Sequence, residues 1–309
     1  MITILSVANF SLPLEDPVLK FLVVLIIILF APILLNKIKV PHLLGLIIAG
    51  AVVGPNGFNI LSRDSSIVVT GTTGLLYIMF LAGLEIDLAE FKKNKWKSVS
   101  FGFYTFAIPF ILGILSAHFL FNFSWLTSIV FASIFSSHTL ISYPIVSKLG
   151  IAKSLPVNIT VGGTMITDIL ALLVLAVCVG ITQGEVDAAF WTKLSVSMVL
   201  FSAVVLFGFP IVGRWFFKKV NDSISQYIFV LVMIYLAALL AELAGVEAII
   251  GAFFAGLALN RLIPHTSALM NRVEFVGNAI FIPFFLISVG MLIDFKIFFK
   301  DSKTIEIAL

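Results

Sequence analysis

Between Leu155 and Thr182 the chain carries one charged side chain, Asp168, at the centre of an apolar run long enough to cross a bilayer as a helix. An ionised carboxylate at that depth costs ~2.5–3.5 kcal/mol on insertion scales, so a proton, a cation or a partner must neutralise it. Composition leaves one class of fold around such a run. With 61% hydrophobic and 11% charged residues and a mean hydropathy of +1.17, too little polar surface exists to clothe a water-soluble globule. The expected fold is all-α, a polytopic membrane protein with the lipid bilayer as its solvent. The net charge of +3 comes mostly from Lys and Arg beside the apolar runs, which is orientation signal, and no nucleic-acid partner is expected. Cys178 has no intrachain partner and no Cys/His spacing suggests zinc. Met1 to Pro17 is acidic and lacks a basic leader, so no cleavable signal peptide is expected.

Apolar runs bounded by charge, Pro and Gly predict ten spans, at 18–36, 41–54, 65–86, 99–121, 124–148, 155–182, 191–213, 224–243, 246–260 and 268–292. The short runs 41–54 and 246–260 carry Gly45, Gly50, Gly54, Gly251 and Gly256, small faces suited to close helix packing. Phe91 to Lys97 is a basic segment with two aromatics, read as a surface turn or helix at the headgroups. Placing the N-terminus outside puts thirteen Lys and Arg residues in the cytoplasm against six at the other face, which favours that orientation.

The chain also resembles itself. Gly45 and Ala49-Gly50 recur as Gly251 and Ala255-Gly256 at an offset of 206, and Gly83, Ile86 and Asp87 recur as Gly290, Ile293 and Asp294 at an offset of 207. Seven spans separate the equivalents, so the second copy is expected upside down, the inverted-repeat plan of secondary transporters. The second unit then begins at span 8. Thr304 to Leu309 reads as the start of another span, and the chain is expected to stop partway through the second repeat.

Helical geometry places Thr164 one turn before Asp168, with Thr167 adjacent and Gly162-Gly163 nearby for close approach. Span 5 is polar at its middle: Ser136, Ser137, His138, Thr139, Ser142 and Tyr143 precede Pro144, which removes a backbone donor. A broken helix fits this pattern, because irregular backbone at bilayer depth is tolerated only in protein or beside a cavity, and its carbonyls and hydroxyls are hard ligands for Na⁺ or K⁺. The competing structure is a proline-kinked helix whose hydroxyls bond back to their own turns. Asp168 is the candidate exchange residue, with Ser137, His138, Thr139, Thr164 and Thr167 as auxiliary cation ligands. Burial favours its protonated form and a bound cation its ionised form, so proton release and cation binding are linked. The alternative role for Asp168 is an acid that pairs helices. Glu85, Asp87, Glu242, Glu247, Asp294 and His118 fall at span ends or turns and read as structural.

The segments PHLLGLIIAGAVVGPNGF, FLAGLEIDL, SSHTLISYPIVSKLG and ITDILALLVLAV resemble the monovalent cation:proton antiporter 2 family, over essentially all of residues 18–300. The resemblance implies a thirteen-span homodimer of the cell inner membrane, with its N-terminus outside. It implies scaffold and dimer helices at 18–60 and 224–260, the first half of an ion-carrying core at 65–182, a linker helix at 191–220 and the start of the second half at 268–292. It also implies a transporter, not an enzyme, without organic cofactor, moving Na⁺ or K⁺ against H⁺. Electrogenic members carry an Asp-Asp pair where this chain has Thr167-Asp168, so one-for-one, electroneutral exchange is expected. The alternatives are a gated K⁺ efflux system with a further cytosolic regulatory domain, and a membrane sensor or assembly subunit that transports nothing.

Overall fold

A computed structural model describes residues 12–36, 42–85, 88–137, 146, 149–151, 154–183, 188–264 and 266–294. Among them are ten helices that follow the ten apolar runs, because backbone polar groups in a bilayer must be satisfied within the segment. They are α1 (Pro17–Asn36), α2 (His42–Val53), α3 (Ser65–Glu85), α4 (Leu88–Phe119), α5 (Trp125–Ser136) and α6 (Leu155–Gln183). Then come α7 (Ala188–Ala203, continued through a wide π turn, Val204–Gly208, into Phe209–Lys219), α8 (Ser223–Leu243) and α9 (Ala248–Leu259). The last is α10 (Ala268–Val276, a π turn at Gly277–Phe281, then Ile282–Gly290). Both π turns stand just ahead of a proline, Pro210 and Pro283, whose ring and missing N–H disturb the preceding turn. Seven helices hold stretches long and apolar enough to cross a membrane, and three shorter apolar ones join them. The protein is an all-α, multi-pass membrane protein.

One reading of the sequence changes in detail, and the interruption expected in span 5 begins at Ser137. The basic segment Phe91–Lys97 is the opening of α4 itself rather than a separate element, marked by a non-helical Asn94 (φ −107°, ψ 15°). The helix of span 5 stops at Ser136, and Ser137 is already extended (φ −93°, ψ 130°).

The chain divides into two compact units, Met1–Tyr77 with Glu274–Leu309, and Ile78–Val273. In the first, α2 packs on the end of α10: a Cβ on Gly50 would strike the Ile287 carbonyl, and one on Gly290 the Ile47 carbonyl. The N–H of Leu14 donates to the Ile60 carbonyl (2.9 Å), joining the segments that lead into α1 and α3. Lys20 on α1 then pairs with Asp64, the residue that caps α3 through the N–H groups of Ser66 and Ile67. Most of α1 faces outward: 6% of its apolar window is buried, against 72% for α3.

In the second unit, α9 packs on α3 by the same device. A Cβ on Gly256 would strike the Phe80 carbonyl, and one on Gly83 the Phe253 carbonyl. The internal resemblance now has structural content. Moving Gly50 and Ile47 forward by 206 gives Gly256 and Phe253, and moving Phe80 and Gly83 forward by 207 gives Ile287 and Gly290. The helix limits agree too: α1 opens at Pro17 behind the cap Asp16 and α8 at Ser223 behind the cap Asp222, while α2 and α9 match at both ends.

Elsewhere in this unit α4 and α5 form a hairpin through Asn122, which takes a positive φ of 54°, and meet at Gly113 and Ala132. Gly102 of α4 touches Gly163 of α6, with no room for a Cβ between them. Since Ser137 beyond α5 also reaches α6, these contacts set α4 and α6 parallel and bring the end of α5 level with the middle of α6.

Candidate functional site

Asp168 sits on the inward arc of α6, 5% exposed, among Val161, Thr164, Met165 and Thr167, all of them buried. Their spacing of three, four and seven residues is one face of a helix. What reaches this arc from outside is the end of α5. Because the helix stops at Ser136, the side chain of Ser137 leaves the helical surface, and its Oγ–H donates to Asp168 Oδ1 at 2.8 Å. Ser136 stays within the helix and donates to its own turn, at the Ala132 carbonyl (2.8 Å).

The threonines are placed differently. Thr164 donates to the Thr160 carbonyl (2.9 Å) and Thr167 to the Thr164 carbonyl (2.8 Å), so their hydrogens are used along α6 while their oxygens keep acceptor capacity. An acceptor oxygen is what a cation needs. Of the predicted ligand set, then, the structure brings Ser137 to Asp168 and sets Thr164 and Thr167 beside it on α6. His138 and Thr139 lie outside the described residues, as do Pro144 and Asp87.

Among the described residues no Lys or Arg is paired with Asp168, and the Lys20–Asp64 ion pair belongs to the other unit. Glu247, at the start of α9, lies within electrostatic reach of Asp168, an acid that the sequence had offered only as part of a turn. Two further polar residues are buried, one that carries no signal in the sequence pattern and one read there as a span-end acid. Asn158, ten residues before Asp168 on the same helix, is 1% exposed, with neither end of its amide hydrogen-bonded among the described residues. Glu85 at the end of α3 is buried, where a span-end acid was expected in solvent. No group of three or more His, Cys, Asp or Glu among the described residues is arranged for a multivalent metal.

A buried acid with no Lys or Arg paired to it among the described residues, met by a hydroxyl at the end of α5, has the chemistry to take either a proton or a small cation. A family model described as "Sodium/hydrogen exchanger, transmembrane" matches residues 25–309. The chain belongs to the sodium/hydrogen exchanger family. Members of the exchanger family share much of its length. The Na(+)/H(+) antiporter NhaS5 of Synechocystis sp. is 40% identical over 293 residues, 94% of this chain and 42% of that protein. Probable Na(+)/H(+) antiporter 3 of Methanocaldococcus jannaschii is 30% identical over 290 residues, 92% of this chain and 73% of that protein. The Na(+)/H(+)-K(+) antiporter GerN of Bacillus cereus is 28% identical over 261 residues, covering 82% and 66%. The chain thus spans less than half of the first of these exchangers and about two thirds to three quarters of the other two.

Proposed function

We propose that this exchanger moves Na⁺ or K⁺ against H⁺ by alternating access, with Asp168 holding the proton and the cation in turn. The observation that carries the reading is the Ser137–Asp168 hydrogen bond, made where α5 ends and α6 is at mid-run. A hydroxyl there serves both states: it donates to the carboxylate, and its oxygen is a ligand when a cation displaces the proton. Thr164, Thr167 and backbone carbonyls near the end of α5 complete the ligand set in this account, with Thr139 and His138 from the stretch beyond Ser137. One relative is named for both Na⁺ and K⁺, which supports leaving both ions in the substrate class.

The working cycle follows from the repeat. The matched helix limits and the matched glycine contacts at offsets of 206 and 207 support an inverted repeat, whose two halves would exchange inward-open and outward-open arrangements around a fixed site. The distribution of Lys and Arg supports an N-terminus outside the inner membrane, and the outward apolar side chains of α1 are compatible with a homodimer contact. Thr167 supplies no second charge, so one cation exchanges for one proton and no net charge moves. A second reading, with more than one proton per cation, draws on Glu247 being within reach of Asp168. Reversal-potential measurements separate the two: indifference to voltage supports the first, and a shift that Glu247→Gln abolishes supports the second.

The test of the site itself is Asp168→Asn in vesicles carrying a pH-sensitive dye. The amide keeps the shape but cannot exchange a proton, so Na⁺- or K⁺-driven proton movement falls to background while the protein remains folded. Activity near that of the parent chain would refute the role given to Asp168.

A further inference from the structure

A cavity of about 180 Å³ lies wholly within the first unit, walled by Phe21 and Val24 of α1, Ile67 of α3 and Phe284 of α10. Phe21 and Phe284 close one side with rings 5.4 Å apart. Its polar end is Lys20 and Asp64. Both stand at the starts of their helices, where the entering segments are tied by the Leu14–Ile60 hydrogen bond, so this end lies at headgroup level and the apolar walls lie deeper. A crevice built that way, beside a helix that turns its apolar face outward, has the profile of a lipid: charge at the top and hydrocarbon beneath.

The charges select among lipids. Lys20 gives one N–H to Asp64 Oδ2 and another to Ser62 Oγ at 3.4 Å, which leaves a third donor for an incoming oxyanion. Asp64 is committed at both oxygens, Oδ1 to the N–H groups of Ser66 and Ile67 and Oδ2 to Lys20. It stays ionised, since the Lys20 hydrogen bond holds its carboxyl below the ordinary carboxylate range. The charged side chains that line the cavity are one base and one acid, Lys20 and Asp64. An anionic headgroup would add an uncompensated negative charge beside this balanced pair, and a zwitterion would not. A zwitterion with hydrogen-bonding ammonium protons fits, its phosphate on Lys20 and its ammonium toward Asp64 Oδ2, which keeps an acceptor lone pair beyond the Lys20 bond.

We infer that the α1–α3–α10 cavity binds a phosphoethanolamine lipid, with the phosphate on Lys20 and an acyl chain along Phe21, Ile67 and Phe284. The site is independent of the exchange chemistry at Asp168. The experiment is native mass spectrometry of the full chain, delipidated in detergent and titrated with phosphatidylethanolamine, phosphatidylglycerol and phosphatidylcholine of one acyl composition. Phosphatidylethanolamine should be retained roughly tenfold more tightly than either of the others. Lys20→Met should abolish that preference and Lys20→Arg should keep it. Ile67→Trp, which fills the cavity without touching the ion pair, should remove the bound lipid even if Lys20→Met proves too unstable to purify. Equal or tighter retention of phosphatidylglycerol or phosphatidylcholine, or retention unchanged by Ile67→Trp, overturns the assignment.

Discussion

The α2–α10 contact and the α9–α3 contact are two versions of one helix crossing, built on glycines at equivalent positions, and they are finished differently. In the first, α2 runs into a turn that caps it: the N–H of Phe58 donates to the Val52 carbonyl (2.8 Å), and those of Ile60 and Leu61 to the Val53 carbonyl. Gly54 stands in that turn, and the end of α10 is closed by its own next residues, Met291, Leu292 and Ile293. At the position equivalent to Gly54, the second crossing has Asn260. Its side-chain amide reaches across to the carbonyls of Gly83 and Leu84 at the end of α3. The glycine contact is thus the shared requirement, and the closure of the helix end is where the copies diverge. The second crossing is locked by a side chain, while the closure seen among the described residues of the first is made by backbone hydrogen bonds.

The largest effect should come from the shared requirement. Gly256→Val and Gly50→Val each drive side-chain atoms into a backbone carbonyl that cannot turn aside, at or beyond the top of the ~1–3 kcal/mol range for overpacking. Both should be lost from the folded fraction in fluorescence size-exclusion profiles. If one of them tolerates Val, the two crossings do not share their geometry.

An intermediate effect should separate the copies. Asn260→Ala removes the amide from which two carbonyls at the end of α3 accept and should cost ~1–2 kcal/mol, read as a lower thermal midpoint in detergent. The reciprocal change, Gly54→Asn, should add no comparable stability, because the helix ends it faces are already capped. A gain equal to the loss in Asn260→Ala would show that the first crossing has an open site for the same lock.

The smallest effect concerns acid. Lys20 and Asp64 clip α1 to α3 in the first unit, while the equivalent positions in the second copy are Gln226 and Asn271, which do not titrate. Asp64 has its folded pKa lowered, first by the Lys20 hydrogen bond. Its contribution is therefore complete above the unfolded value of about 3.9 and is lost as pH falls through the lower folded value. Hydrogen exchange at the start of α3 should rise below about pH 4 in the parent chain, with no matching rise at the start of α10. Asp64→Asn should remove that pH dependence.

Much of this was legible before any coordinates. Charge, proline and glycine mark where apolar runs stop, so the ten helices, the short glycine-bearing α2 and α9, and the end of α5 inside its apolar run could all be read. Ser137 was legible as well, since hydroxyls gathered at mid-run have few structural uses in a bilayer. Three things were not. The α4 helix begins at Leu88 because its lysines continue the helical surface beyond the apolar window, which a search for uncharged runs ends too soon. Asn260 looks like a polar residue at a span end, and only the crossing of α9 over α3 shows what its amide holds. Asn158 lies near the start of its run, where the sequence suggests contact with water, yet packing within the second unit buries it completely. Periodicity reports which face turns inward, but it does not report which neighbour waits there.

The central claim is that one carboxylate holds a proton or a cation and never both. Its most direct measurement is proton release from the purified chain in weakly buffered detergent when Na⁺ or K⁺ is added, followed with a pH indicator beside calorimetric binding. The account predicts one proton released per cation bound, weaker cation binding as pH falls, and no release from Asp168→Asn. Cation binding without proton release in the parent chain, or undiminished release from Asp168→Asn, would contradict it.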